Sequence, residues 1–281
     1  MYPESDIFLN FGSLIGKEMK IAIIGGGNIG GSIAGGLAAG DKVAAKDITV
    51  SDHNAQALDK IRKIDPQIGT TTDNREAARQ ADLVIVAVKP WLNEEVVSSF
   101  KDVLDFDRQM VASIVAGVDF ENLRRIYDNG SGKSPVLFRV IPNTAISLRE
   151  SVTFLASDGA TPAQVAEVSG LFGELGQAIV VPEPMMAAGT SLASCGIAFA
   201  LKYLDASIRG GVELGFTEEE ARSIVMQTMR GALALLEKNG TMPQAEIDKV
   251  TTPGGLTLKG LDAMAESGFS EAVRAGLQKS R

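Results

Sequence analysis

The chain has 281 residues and a formal net charge of −8. No run of Lys or Arg stands out, and binding a phosphate backbone needs a basic face, so nucleic acid is excluded as the expected partner. The lone cysteine, Cys195, excludes an intramolecular disulfide and any multi-cysteine metal site, and it fits a reducing cytoplasm.

Residues 1–18 carry acids and no cationic start before an apolar run, so they read as an N-terminal extension rather than a signal peptide. Lys20–Ile24 is a short apolar run of the kind a central parallel strand shows. It leads into Gly25-Gly26-Gly27-Asn28-Ile29-Gly30, a G-x-G-x-x-G pattern, and a helix follows with Ile33 and Leu37 at helical spacing. Gly25 would make the tight turn, Gly27 the approach to a pyrophosphate and Gly30 the close packing of helix on strand. The pattern alone is weak; strand before, helix after and Asp52 beyond a second strand at Ile48–Val50 make it a dinucleotide-site expectation.

Asp52 stands where a carboxylate holds the ribose 2′-OH of NAD, whereas a cation there would accept a 2′-phosphate. The local sequence is Ser51-Asp52-His53-Asn54, with no arginine before Arg62. Ser51, Asp52 and His53 are therefore cofactor-site candidates together with Gly25, Gly27, Asn28, Ile29 and Gly30. The motif leans to NADH without deciding against NADPH. His53 is the single histidine and sits at the adenosine end, away from any reacting centre.

The alternation continues through helices near Ala55–Ile64 and Arg75–Ala81, with a short strand near Ile68–Thr70 between them. A buried strand Asp82–Val88 ends at Lys89-Pro90-Trp91, and ligands sit beyond such C-terminal strand ends, so Val88, Lys89 and Pro90 join the cofactor candidates. Further strands at Met110–Val115 and Pro135–Ile141 flank a helix at Glu121–Tyr127. The second strand ends at Pro142-Asn143-Thr144, where Asn143 offers an amide that a nicotinamide carboxamide or a turn could use, so Asn143 joins the cofactor candidates. A last strand–helix–strand run closes at Val181. The fold class is α/β, a doubly wound Rossmann-type domain over residues 19–182.

From residue 183 the texture becomes helical. Met185–Leu214 reads as one helix, and its most apolar stretch, Leu192–Leu201, is too short to cross a bilayer and reads as buried. Thr217 caps a second helix over Arg222–Lys238, Gln244–Lys249 makes a third, and a final helix starts at Thr257. So much apolar helix with small residues predicts an all-α domain over 183–281 through which two copies of the chain pair.

Between the third and final helices lies Val250-Thr251-Thr252-Pro253-Gly254-Gly255-Leu256-Thr257-Leu258-Lys259-Gly260-Leu261. A glycine-rich turn opening a helix aims several N–H groups at one spot and favours an anion there. No His–carboxylate pair, reactive-cysteine cluster or metal constellation appears elsewhere. Reduction of an already electrophilic C=N bond needs little beyond positioning, an anchored carboxylate and a proton for nitrogen, and a cyclic imino acid meets those demands.

At this point the chain resembles the pyrroline-5-carboxylate reductases of proline biosynthesis. The resemblance covers residues 20–279 and is carried by IAIIGGGNIGGSIAGGL, VIVAVKP, SIVAGV, VIPNTA, FGELGQAIVVPEP and, most specifically, VTTPGGLTLKGLDAM. It implies an NADPH- or NADH-dependent oxidoreductase reducing 1-pyrroline-5-carboxylate to L-proline, with a homodimer through the helical domain that often builds larger rings. It implies a substrate site at Thr252, Gly254, Gly255, Leu256 and Thr257, with the Thr257 hydroxyl reaching the ring nitrogen. The chain departs from the family's Ser-Gly-Ser-x-Pro-Ala-Tyr segment, having Ala193-Ser194-Cys195-Gly196-Ile197-Ala198-Phe199, and from the arginine many members place after the second strand. Two rival readings are a two-domain hydroxy-acid dehydrogenase and a non-catalytic NAD(H) sensor. The first wants a Lys with an Asn four residues on, and Lys202 is followed by Ala206.

Overall fold

The computed structural model describes residues 19–281; the extension over 1–18 lies outside the described residues. The chain divides into two compact units, the second beginning at Cys195.

Among the described residues the first unit is built on eight strands: β1 Ile21–Ile24, β2 Ile48–Ser51, β3 Gly69–Thr71, β4 Leu83–Val86, β5 Met110–Ser113, β6 Val136–Ile141, β7 Ser151–Asp158 and β8 Gly176–Val180. They form one sheet in the order β3-β2-β1-β4-β5-β6-β7-β8. The helices are α1 Asn28–Ala38, α2 Ala55–Ile64, α3 Asn74–Arg79, α4 Asn93–Ser98, α5 Phe120–Tyr127, α6 Pro162–Gly173 and the single turn α7 Met186–Gly189. Side chains alternate across the strands, so Ile21, Ile23, Leu83 and Ile85 pack on one face with Ile33 and Leu37 of α1 and Phe172 of α6. Ala22, Ile24, Val84 and Val86 pack on the other, with Val97 of α4 and Leu123 and Tyr127 of α5. Strands buried on both faces explain why the sequence shows unbroken apolar runs there rather than alternation.

The sheet is not wholly parallel. β7 runs antiparallel to β6, while β8 is parallel to β7. The cause is the connection: β6 and β7 are joined by a 3₁₀ turn at Thr144–Leu148, too short for the crossover that a parallel neighbour requires. Arg149 closes that turn in the left-handed region (φ 60°). Its guanidinium donates from Nε to the Glu174 carbonyl (2.8 Å) and from Nη1 to the Ala39 carbonyl (3.2 Å).

The second unit, Cys195–Arg281, holds α8 Gly196–Glu213, α9 Glu218–Asn239, α10 Pro243–Val250, α11 Leu256–Glu266 and α12 Phe269–Lys279. Thr217 and Glu220 cap α9 reciprocally, side chain to backbone in both directions. The helical run before α8 is not one uniform helix, because Thr190–Cys195 is wound as a π-helix. The expected final helix is two: Gly268 at φ 75° breaks it between α11 and α12. Gly211 lets α8 approach α9 closely, since a Cβ there would lie 2.9 Å from the Ala221 Cβ.

The expectation of a buried helix at Leu192–Leu201 is corrected. Leu192 is 64% and Leu201 57% exposed, and the whole run Glu183–Glu213 is long and apolar enough to span a membrane by length and composition, with little of it buried. The same holds across the second unit, where Ala221 is the one apolar side chain buried among the described residues. Leu214, Phe216, Leu233, Leu235 and Leu256 all face outward. Periodicity located the helices and told nothing of which surface covers them. Uncovered apolar area of this extent is what interaction surfaces show.

Candidate functional site

Strand order reverses between β1 and β4, the place where doubly wound sheets bind ligands beyond the strand ends. Each glycine of the motif has a distinct physical reason to be glycine. Gly25 takes φ 108°, and a Cβ there would stand 2.6 Å from the Ala87 carbonyl oxygen and 3.2 Å from Val88 Cγ1. A Cβ on Gly30 would fall 1.9 Å from the Gly25 carbonyl oxygen, so α1 can lie this close to β1 only without one. Gly27 has nothing within 4 Å of a built Cβ and is exposed, which leaves the backbone open to a ligand.

Gly27 is also the N-cap of α1, and it supplies no side-chain cap, whereas Asn54, Asp73, Asp119 and Thr161 cap α2, α3, α5 and α6 with their own oxygens. No acid occupies the first turn of α1. Its leading N–H groups, including those of Asn28 and Ile29, therefore face outward with the positive end of the helix dipole. These residues fit the pyrophosphate of a dinucleotide.

Asp52 is held rather than free. Its Oδ2 accepts the Gly26 N–H (2.8 Å) and its Oδ1 accepts the Asn54 N–H (2.8 Å), and the side chain is 13% exposed. His53 lies beside it, Nδ1 to Oδ1 3.5 Å, with a fully projecting ring. Ser51 contributes differently from the sequence expectation. It is buried, its hydroxyl donates to Asn74 Oδ1 (2.7 Å), and its carbonyl accepts the Gly25 N–H (2.8 Å). Its role in the site is to fix the glycine turn. Neither the Gly26–Asp52 bond nor Asn74 was legible from spacing, because both join segments over twenty residues apart.

Val88 is half-buried beside Gly25, while Lys89 and Pro90 are exposed, with Lys89 preceding a 3₁₀ turn at Pro90–Leu92. Asn143 stands apart from this cluster, at the end of β6, two strands beyond β4 and so roughly 10 Å away. Its amide is engaged: Oδ1 accepts the Ala145 N–H (3.0 Å) and Nδ2 donates to the Ala193 carbonyl (3.4 Å). Asn143 thereby caps the turn to β7.

In the second unit, Thr252-Pro253-Gly254-Gly255 forms a tight turn closed by the Gly255 N–H to the Thr252 carbonyl (2.8 Å). Pro253 in the second place and Gly254 at φ 74° in the third match a type II turn. A Cβ on Gly255 would meet Thr252 Oγ1 at 2.6 Å and the Thr252 carbonyl at 3.0 Å. Gly255 is the N-cap of α11, which begins at Leu256, one residue before the expected start. Like α1, this helix opens with no side-chain cap and no first-turn acid. Thr257 is its second residue, exposed, and its hydroxyl makes no hydrogen bond among the described residues. Lys202, the residue a hydroxy-acid dehydrogenase would need, is exposed and paired with Asp205 (3.1 Å).

One carboxylate that spacing did not single out supports this loop. Glu246 Oε1 accepts from Lys249 (2.7 Å), Thr241 (2.5 Å) and Asn239 (3.0 Å), joining the end of α9 to α10, whose last turn leads into Thr252. Hydrogen bonds from Lys249 first, then from Thr241 and Asn239, hold its carboxyl at about 2 instead of 4.5. A depressed carboxyl pKa contributes stability that is complete above the unfolded value and is lost as pH falls from 4.5 towards about 2. Thermal melts should therefore show Glu246→Gln less stable than the parent at neutral pH, with the gap closing through that window. A gap independent of pH would remove the assigned role.

Three comparisons bear on the chain. Residues 183–281 match the family model "Pyrroline-5-carboxylate reductase dimerisation", and residues 20–117 match "NADP oxidoreductase coenzyme F420-dependent". The chain is 34% identical to pyrroline-5-carboxylate reductase 2 of Dictyostelium discoideum over 92% of its own length and 90% of that protein. It is 30% identical to the pyrroline-5-carboxylate reductase of Synechocystis, covering 94% and 97%. Against pyrroline-5-carboxylate reductase 1 of Dictyostelium discoideum, at 34% identity, it spans about half of the relative, 48% of its length. Among solved structures it resembles a pyrroline-5-carboxylate reductase from Coxiella burnetii, with TM-score 0.84, 26% identity and coverage of 94% and 96%. The Plasmodium falciparum pyrroline carboxylate reductase with NADP bound shares the fold, with TM-score 0.83 at 22% identity and coverage of 93% and 95%.

Proposed function

The chain belongs to the pyrroline-5-carboxylate reductase family, and on that premise we propose that it reduces L-1-pyrroline-5-carboxylate to L-proline with NADPH or NADH, the last step of proline biosynthesis. The observation that carries the reading is the Thr252–Thr257 loop: a type II turn that delivers an uncapped helix start with an unbonded hydroxyl at its second position.

When bound, the reduced nicotinamide supplies a hydride to C5 of the ring. The Gly255 N–H closes the turn, so the backbone N–H groups of Leu256 and Thr257 bind the substrate carboxylate, with Thr252, Gly254 and Gly255 bordering them, and the dipole of α11 adds to the attraction. Thr257 hydrogen-bonds at the ring nitrogen, where the proton that balances the hydride must reside as C=N becomes CH–NH. The Gly25–Gly30 turn and the start of α1 hold the pyrophosphate, and Asp52 holds the adenosine ribose. Val88, Lys89 and Pro90 border the same crevice from β4. The lone titratable thiol and the lone imidazole take no part, consistent with a reaction that asks for orientation more than for a strong acid–base pair.

Residues 183–281 serve as the substrate and dimerisation part. The outward apolar side chains of α8 and α9, and the match to the dimerisation model, support a homodimer; a ring of dimers and a cytoplasmic location are part of the same proposal. The long apolar run at Glu183–Glu213 then buries its surface against a second copy of the chain instead of lipid.

Oxidation of NADH or NADPH by the purified protein, dependent on added 1-pyrroline-5-carboxylate and yielding proline, tests the reaction. Nucleotide binding without turnover would hand the chain to the sensor reading.

A further inference from the structure

We infer that this chain selects NADH over NADPH, and that Asp52 is the residue that does so. The inference rests on the dinucleotide reading of the first unit and goes beyond it, because the similar proteins include an NADP oxidoreductase family and a reductase with NADP bound.

The position of Asp52 is built, not incidental. Two backbone donors from separate loops, Gly26 N–H and Asn54 N–H at 2.8 Å each, clamp its two oxygens at the end of β2. Swinging the carboxylate away to admit a phosphate would break both bonds, the one from Gly26 in a part-buried place. A built Cβ on Gly26 would lie 3.4 Å from the Asp52 Cβ, so the glycine turn and the carboxylate touch directly. Each clamped oxygen still has a lone-pair site for a ribose hydroxyl, and an ionised carboxylate is an acceptor only. A 2′-OH donates to it; a 2′-phosphate brings a like charge with no proton to share.

The first two arginines after β2 are engaged elsewhere. Arg62, the first arginine after β2, donates from Nε to Thr70 (2.9 Å) and from Nη1 to Asp59 (2.6 Å). Arg75, at the start of α3, is bidentate on Asp102 at 2.5 and 2.8 Å. His53 is the nearest candidate, and its ring lies against Asp52.

The test is equilibrium binding of NADH and NADPH to the intact protein without substrate, followed by isothermal titration calorimetry. NADH should bind at least about tenfold tighter than NADPH, the scale of one poorly screened charge pair. Asp52→Ser should narrow that ratio, chiefly by improving NADPH. His53→Arg leaves the clamp in place and should also favour NADPH, so the inference remains testable if Asp52→Ser is unstable. Equal affinities in the parent protein, or tighter NADPH binding, would overturn the selectivity while leaving the dinucleotide site standing. Binding of neither nucleotide would remove the site itself.

Discussion

Thr257→Ala is expected to lower kcat for 1-pyrroline-5-carboxylate reduction by about 10²-fold, the lower end of positioned proton-transfer effects, while leaving thermal stability almost unchanged. The two halves of that expectation come from one observation. Thr257 is exposed at the second position of α11, and its hydroxyl has no partner among the described residues. Removing it breaks no internal hydrogen bond, and surface substitutions of this kind usually stay within about 0.5 kcal/mol. Its cost must appear in the reaction. A hydroxyl acting at the ring nitrogen is worth most as nitrogen gains charge, so kcat should fall more than KM rises. Thr257→Ser, which keeps the hydroxyl, should recover most of the rate. Unchanged kcat and KM in the alanine variant would remove Thr257 from the chemistry, and a raised KM alone would reduce it to a ground-state contact.

A second large effect separates two glycines that the motif treats alike. Gly30→Ala should destabilise the first unit, because its Cβ would stand 1.9 Å from the Gly25 carbonyl oxygen, a methyl against fixed backbone. Overpacking typically costs about 1–3 kcal/mol, and here no flexible side chain can yield. Gly27→Ala should fold normally, since a Cβ there meets nothing within 4 Å, yet lose nucleotide affinity by roughly tenfold or more as the methyl occupies the approach to the pyrophosphate. Thermal melts with NADH titrations on both variants check this. Equal losses of stability in the two would mean that the motif is structural throughout; unchanged NADH affinity in Gly27→Ala would move the pyrophosphate elsewhere.

Much of the first unit was legible because its signals are local. A fully buried parallel strand must be an apolar run, and a glycine turn between strand and helix has little alternative sequence. The α2 boundaries, Ala55–Ile64, follow from Asn54 as cap and the apolar spacing of Leu58 and Ile61. The antiparallel β7 was not legible, since direction is decided by whether the Thr144–Leu148 turn can cross the sheet, and strand composition does not record that. The bonds of Asn143 to Ala145 and Ala193 were not legible either, because an amide at a strand's end serves a ligand or a turn equally well.

The second unit taught the opposite lesson. Most of its helices were legible in the sequence, including the Thr217 cap, but the π-wound Thr190–Cys195 and the break at Gly268 were not, and burial was read from hydrophobicity alone. Leu192 and Leu201 are apolar and outward-facing, and in the proposed homodimer the surface that covers such side chains belongs to the second copy. The Thr252–Thr257 loop was legible as a turn opening a helix. The support that Glu246 gives it was not, since a glutamate in a helical first turn is ordinary until its three partners are seen.

The measurement that bears most directly on the central claim is steady-state oxidation of NADH and NADPH by the purified protein across a range of 1-pyrroline-5-carboxylate concentrations, with proline quantified in the same samples. Saturable oxidation, one proline formed per nicotinamide oxidised and a higher kcat/KM with NADH is the predicted result. Absence of proline with either cofactor, in protein that binds nucleotide and remains folded, would contradict it.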